Sequence, residues 1–270
     1  MARDWSRYWR SADRPIEAMH AHFARHVYHR HSHETYSFGM TEDGAQSFTC
    51  RGAAHTSIPG MVMAFNPDDP HDGRAADALG FTYRIVHLGP GLVSEVLGDL
   101  AGRPTGLPLF AEPVVYDPAL AAALRALHAA LLGGAPALRR EELLAATVGA
   151  MVRRAATRPV AATAASSGVA ARAGALLRER FLDDLSIDDL AREAGTSRFA
   201  VYRAFRAAYG MAPSDYQRLL RLREARRLIA GGTPIGEVAA LTGFADQSHL
   251  TRWFGRCFGL TPAAYRAAAA

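Results

Sequence analysis

The chain has 270 residues, 49% of them hydrophobic and 21% charged, with a formal net charge of +5. That composition suits a globular protein long enough for two cored domains, and it excludes a fibrous, disulfide-stapled or disordered chain. No apolar run reaches the ~18 residues of a membrane span, no secretory leader is visible, and the two cysteines, Cys50 and Cys257, read as reduced core thiols of a cytoplasmic protein.

Residues 27–90 carry strand and turn signals. Tyr36, Phe38 and Met40 alternate with small or polar residues, Glu42-Asp43-Gly44 reads as a turn, and residues 45–51 as the hairpin partner. An apolar run at 61–65 precedes the turn cluster Asn66-Pro67-Asp68-Asp69-Pro70, and residues 81–88 (FTYRIVHL) form another strand. Short strands separated by turns point to a small barrel or sandwich. A short helix is expected over 91–100. Residues 118–154 read as an antiparallel helical hairpin broken at Gly133-Gly134. Leu120, Leu124, Leu127 and Leu131 form one apolar stripe, and Leu143, Leu144, Val148 and Met151 another. The stripes either cover the barrel or form a homodimer face. Residues 155–171 have the Ala/Ser/Thr composition of a linker.

The remaining segment repeats itself. Ile187, Leu190, Ala191 and Gly195 recur 48 positions later as Ile235, Val238, Ala239 and Gly243. Val201, Arg203, Phe205, Tyr209, Gly210, Pro213 and Tyr216 recur 49 positions later as Leu250, Arg252, Phe254, Phe258, Gly259, Pro262 and Tyr265. Each copy reads helix, glycine turn, helix. Ser186 with Asp189, Thr196-Ser197, Thr233 with Pro234, and Asp246 supply helix starts. A long helix from Pro213 or Ser214 to Ile229 joins the copies, its arginines (Arg218, Arg221, Arg223, Arg226, Arg227) standing as linking or phosphate-contacting residues. Charge agrees with a nucleic-acid partner: residues 1–159 hold 16 arginines against 16 acids, residues 160–270 hold 15 against 10, and there is no lysine.

Two copies, both ending in aromatic-Gly-x-x-Pro-x-x-Tyr, are a specific signal. Residues 172–270, and above all GFADQSHLTRWFGRCFGLTPAAYR at 243–266, resemble the DNA-binding domain of the AraC/XylS family of transcription regulators. The resemblance implies seven helices, two of them entering adjacent major-groove segments of promoter DNA. It places base-reading positions on Phe199, Tyr202 and Arg203 in the first copy, with Arg206 beside them. In the second copy they fall on Gln247, Ser248, His249, Thr251 and Arg252. Because the copies differ at these positions, each monomer is expected to read a non-palindromic site. The family also implies activation through RNA polymerase contacts, often as a dimer.

The N-terminal stretch over about 15–90 resembles the cupin-type effector domain that precedes many such regulators. In cupin enzymes an HxH pair, a glutamate and a later histidine bind a metal. His31, His33 and His71 match that pattern, but Ser37 and Phe38 stand where the glutamate belongs. The three imidazoles either hold a transition metal or line a small-molecule pocket, with Glu34, Tyr36 and Arg84 as further effector contacts. His20, His22, His26 and His55 follow no pattern and read as surface or loop residues.

The expected architecture is therefore α+β and multidomain. A cupin-like β-barrel at 1–117 is followed by the helical hairpin at 118–154, the linker at 155–171, and an all-α domain with two helix-turn-helix units at 172–270. The expected function is effector-controlled, sequence-specific DNA binding, without catalysis and with no cofactor required. The alternative is a metal-dependent cupin enzyme fused to a DNA-binding module.

Overall fold

A computed structural model of the chain describes residues 4–12, 14–101, 103–135, 137–157 and 167–268. Its N-terminal part holds ten strands, β1 (Trp5–Arg10), β2 (Ile16–Phe23), β3 (Tyr28–His31), β4 (Tyr36–Gly44), β5 (Gln46–Cys50), β6 (Ala53–Ser57), β7 (Met61–Phe65), β8 (His71–Ala75), β9 (Phe81–Leu88) and β10 (Val114–Tyr116). The strands form two sheets, one in the order β1-β2-β9-β4-β7-β10 and the other β3-β8-β5-β6. No ladder among the described residues joins the sheets, so the expected barrel is an open double sheet.

The hairpin expected across Glu42-Asp43-Gly44 does not form. β4 stays in the first sheet to its last residue, with Gly44 opposite Phe81, after a bulge between Thr41 and Asp43. β5 pairs instead with β6 and β8 in the second sheet. Gly44 makes this corner possible: its φ is +70°, and a Cβ there would lie 2.1 Å from the Gly80 carbonyl oxygen.

Strand pleating sorts the side chains into two cores. Tyr36, Phe38, Met40, Val86 and Leu88 face a helical layer. Met19, Phe48, Phe65, Tyr83 and Ile85 pack between the sheets. The layer consists of α1 (Pro90–Ala101), α2 (Pro118–Leu132) and α3 (Ala137–Ala155). Asp117 caps α2, accepting the amides of Ala119 and Leu120. Leu120, Leu124, Leu127 and Leu131 are at most 2% exposed, and with Leu144, Val148 and Met151 they complete the first core. Both predicted stripes are thus covered within the chain.

Thr157 still belongs to this part, its amide donating to the Leu109 carbonyl at 2.7 Å. The central residues of the expected linker, 158–166, lie outside the described residues. Its last residues are already helical, in α4 (Ser167–Arg180). There follow α5 (Ile187–Ala194), α6 (Arg198–Tyr209), α7 (Pro213–Ala230), α8 (Ile235–Leu241), α9 (Gln247–Phe258) and α10 (Pro262–Ala267), a second compact unit of seven helices, α4 to α10. Cys50 and Cys257 are buried thiols, and burial pushes Cys257 up to about 12.

Of the histidines expected at the surface or in loops, His26 does lie in the loop between β2 and β3, while His20 and His22 stand on β2 and His55 on β6, and all but His22 are half-buried. His22 is buried and bonded to the Thr82 hydroxyl at 3.1 Å, and the ring of His20 packs on Trp5. His26 packs on Phe23 and Tyr28, and His55 on Phe48.

Candidate DNA-binding surface and effector site

In the first helix-turn-helix, α5 opens with a reciprocal capping box. The Asp189 amide donates to the Ser186 hydroxyl at 3.2 Å, and the Ser186 amide to the Asp189 carboxylate at 2.9 Å. Hydrogen bonds from the Ser186 hydroxyl and amide hold the Asp189 carboxyl down at about 2. Ser197 caps α6 through the Ala200 amide. Val201 and Phe205 are fully buried, which fixes the rotation of α6 and leaves Tyr202, Arg203 and Arg206 exposed on the other face. The Phe199 side chain lies outside the described residues.

The second unit repeats the scheme. Asp246 caps α9 through the His249 amide at 2.6 Å, and Leu250 and Phe254 are fully buried. Gln247, Ser248 and Arg252 are exposed, while Thr251 and His249 are half-buried. The His249 ring packs on Phe244, and its Nδ1 accepts the Ala245 amide at 3.4 Å, so part of this side chain serves the turn. The start of α8 differs from expectation: Pro234 occupies the cap, and no side chain caps the helix.

The shared aromatic-Gly-x-x-Pro-x-x-Tyr ending closes each recognition helix onto the next. Gly210 and Gly259 donate their amides to the carbonyls of Arg206 and Gly255. Tyr216 then packs on Phe205, and Tyr265 on Phe254. One arginine attends each tyrosine, Arg178 donating to the Tyr216 hydroxyl at 3.2 Å and Arg226 lying over the Tyr265 ring.

On α7, Arg218, Arg221, Arg226 and Arg227 engage neighbouring side chains or backbone within the chain. Arg218 lies 4.0 Å over the Trp253 ring and pairs with Asp215, Arg226 is buried against Phe258, and Arg227 pairs with Glu224. Arg221, half-buried, is the one that joins the two helix-turn-helix units. Its guanidinium donates to the carbonyls of Phe181 (2.8 Å), Leu182 (3.4 Å) and Asp183 (3.0 Å) after α4, and to Gly243 (3.1 Å) in the second turn. Gly243 has a φ of +71°, and a Cβ there would come within 2.9 Å of Arg221. Nothing in the local sequence marks Arg221 apart from its basic neighbours, because its acceptors are backbone atoms remote in sequence.

In the N-terminal part, His31, His33 and His71 come together. They are 3%, 9% and 6% exposed, and one ring nitrogen from each lies within 4.8 Å of the others. Nδ1 of His31 donates to the His29 carbonyl at 2.7 Å, and Nδ1 of His71 to the Asp69 carbonyl at 2.8 Å. A carbonyl only accepts, so both rings keep a Nε2 lone pair, the tautomer a metal ligand needs. His71 stacks on Phe65 with ring centroids 4.2 Å apart. The turn ahead of it is rigid: Asn66 bonds the Asp69 carboxylate and both backbone groups of Phe110.

A fourth imidazole stands beside the trio. His87 lies 4.6 Å from His33 between ring centroids, and its Nδ1 is 2.8 Å from the hydroxyl of Ser37, its partner across the ladder. Ser37 is the residue found where the cupin pattern has glutamate, and register with β9 brings His87 there, a relation that only the strand pairing reveals.

The other expected effector contacts do not join this cluster. Tyr36 and Arg84 sit on the helix-facing side of the first sheet, one pleat away from Ser37 and His87. The Tyr36 hydroxyl donates to the Pro108 carbonyl, burial raising its pKa to about 12. Arg84 binds Glu42 at 2.8 Å and reaches Nδ1 of His128 at 3.2 Å. Glu34 is exposed.

Comparison with known proteins agrees with this arrangement. Residues 15–148 match the AraC-like ligand binding domain, and residues 190–268 a helix-turn-helix domain. YbfI, an uncharacterized HTH-type transcriptional regulator of Bacillus subtilis strain 168, is 28% identical over 221 residues, 82% of this chain and 80% of YbfI. The apo structure of a ToxT point variant from Vibrio cholerae superposes with a TM-score of 0.61 at 11% identity, covering 96% of this chain and 99% of that one. Wild-type ToxT bound to an unsaturated fatty acid superposes at 0.55, also at 11% identity, covering 97% of this chain and 94% of that one. At that identity the likeness is one of fold.

Proposed function

This chain belongs to the AraC family of transcription regulators, a DNA-binding regulator with a ligand-binding N-terminal domain and not an enzyme, and from that premise we propose how it works. α6 and α9 enter successive major grooves on one face of promoter DNA, about 34 Å apart. Tyr202, Arg203 and Arg206 read or position the first segment, and Gln247, Ser248, Thr251 and Arg252 the second, with Phe199 and His249 as further contacts. The observation that carries this reading is the pair of recognition helices, each rotated by two buried core residues so that a polar face is left outward. The protein acts in the cytoplasm, activates through RNA polymerase, and binds as a homodimer.

Arg252→Ala is expected to weaken specific binding by roughly 1–3 kcal/mol, about five- to 150-fold, the value of one bidentate base contact. Fluorescence anisotropy with promoter and scrambled duplexes measures it, and unchanged specific affinity would remove Arg252 from the base-reading set.

The effector enters the double sheet at His31, His33 and His71, and these residues hold a divalent transition ion there. Two nitrogens on one tetrahedral zinc lie about 3.4 Å apart, so binding draws the trio together by up to about 1.4 Å. Chelator-treated protein given zinc is expected to take up one ion per chain by elemental analysis, with His31→Ala and His71→Ala losing it. His33→Ala is expected to change the effector response while basal DNA affinity stays within about twofold. Equal loss of both would assign His33 to folding.

A further inference from the structure

On the helical layer that covers the first sheet, α1, α3 and residues 105–109 line an open pocket of about 470 Å³ that has no histidine in its lining. That volume falls in the ~300–1,000 Å³ range of small-ligand sites. The 105–109 wall is anchored at its C-terminal end: the Pro108 carbonyl accepts the Tyr36 hydroxyl at 2.7 Å, and Leu109 bridges to Thr157. Leu97, Leu100, Leu107 and Val152 make the lining apolar, and Leu100 and Leu107 remain 54% and 49% exposed.

Three polar side chains interrupt this lining, and one of them, Thr157, is already bonded to the backbone of Leu109 and Ala111. The Thr105 hydroxyl oxygen is buried and has no hydrogen-bond partner among the described residues. Arg153, at the rim, makes no ion pair with any described carboxylate, although its neighbour Arg154 pairs with Asp117 at 2.6 Å. Its guanidinium folds across Gly149, where a Cβ would lie 3.0 Å from Nη1 and 3.3 Å from Leu100, so the missing side chain gives the cation its place over the cavity. An apolar body would cover the leucines and remove them from water. A carboxylate would accept from both the guanidinium and the orphaned hydroxyl, and a charge-assisted bond of this kind is the stronger sort. A neutral apolar ligand would leave both donors unused, and a cation would be repelled.

We propose that this cavity binds a small amphipathic carboxylate, held by Arg153 and Thr105 at its head and by Leu97, Leu100, Leu107 and Val152 along its body. Because α3 is the last helix before the chain passes to the DNA-binding unit, the site is a second regulatory input, independent of the histidines.

Dodecanoate below its micelle concentration, titrated into the full chain by calorimetry, is expected to bind once per chain. Dodecanol and Arg153→Gln should each weaken binding at least tenfold, Arg153→Lys should retain most of it, and His33→Ala should leave it unchanged. Absence of saturable dodecanoate binding, or equal affinity for dodecanol, or an unaffected Arg153→Gln, overturns the proposal. So does a ligand-free dimer in sedimentation that Leu107→Asp dissolves, which would give the face to a second copy.

Discussion

Arg221→Ala is expected to uncouple the two helix-turn-helix units. The guanidinium donates to three carbonyls at the end of α4 and one in the turn before α9. Hydrogen bonds to a charged group are each worth about 1.5–3 kcal/mol when buried. Arg221 is only half-buried and its acceptors are in part open to water, so the net loss of stability should be about 3 kcal/mol rather than the full sum. The larger consequence is for DNA. Two recognition helices on one rigid body bind the second groove segment at a high effective concentration once the first is engaged. When the link loosens, that advantage falls while each helix keeps its own contacts. Anisotropy with an intact site and with either half scrambled separates the two effects. Wild type should lose far more affinity than Arg221→Ala when one half is scrambled. Equal losses would mean that α7 alone sets the spacing and that the arginine only stabilises.

That coupling was the part of the DNA-binding unit least visible in the sequence. The repeat announced three of its four helix starts, its glycine turns and its buried residues, because all of these are local: Ser186 and Asp189 lie three residues apart, and Val201 and Phe205 share a helix face. Arg221 acts through acceptors 22 to 40 residues away, and no spacing rule reaches so far. The same limit shaped the N-terminal reading. His31, His33 and His71 were legible from their pattern, but His87 enters only through its register with Ser37. Tyr36 and Arg84 were assigned by residue type and proximity in sequence, and a single pleat puts each on the opposite side of the sheet from the histidines. β1 and β2 escaped notice because β2 is covered on both sides, and its polar residues fall on both faces, Glu17 on one and His20 and His22 on the other, so no single alternation runs through it. The helical stripes were read correctly as apolar. Which surface they cover was settled by packing against β4 and β9, a choice composition cannot make.

The misplaced Arg84 leads to the second large effect, which is on stability against acid. His128, on α2, is 1% exposed, and its Nε2 donates to the Met19 carbonyl at 2.9 Å. Arg84 donates to its Nδ1, so the neutral ring has both nitrogens satisfied. The groups around it are His20, with ring centroids 6.1 Å away, and Glu42, which Arg84 and Arg125 also bind. Burial drives the His128 pKa from 6.5 down to about 4, against the bond to Met19 and with help from the Arg84 charge. Between those values the unfolded chain binds a proton that the folded chain refuses, so stability rises with pH there. The contribution is complete above pH 6.5 and is lost as pH falls toward 4, about 3 kcal/mol in all at 1.36 kcal/mol per unit. His20 and His26, whose pKa values are also lowered chiefly by burial, add to the same slope. Urea unfolding followed by circular dichroism at pH 7, 5.5 and 4 measures the loss. His128→Gln keeps an amide that can donate to Met19 and accept from Arg84, and it cannot titrate. Its stability should therefore depend on pH less steeply than that of the wild type, by about the His128 share. Parallel slopes for the two proteins would show that Arg84 and Glu42 rearrange to accommodate a charged ring, and that this polar cluster between sheet and helix yields under acid instead of resisting it.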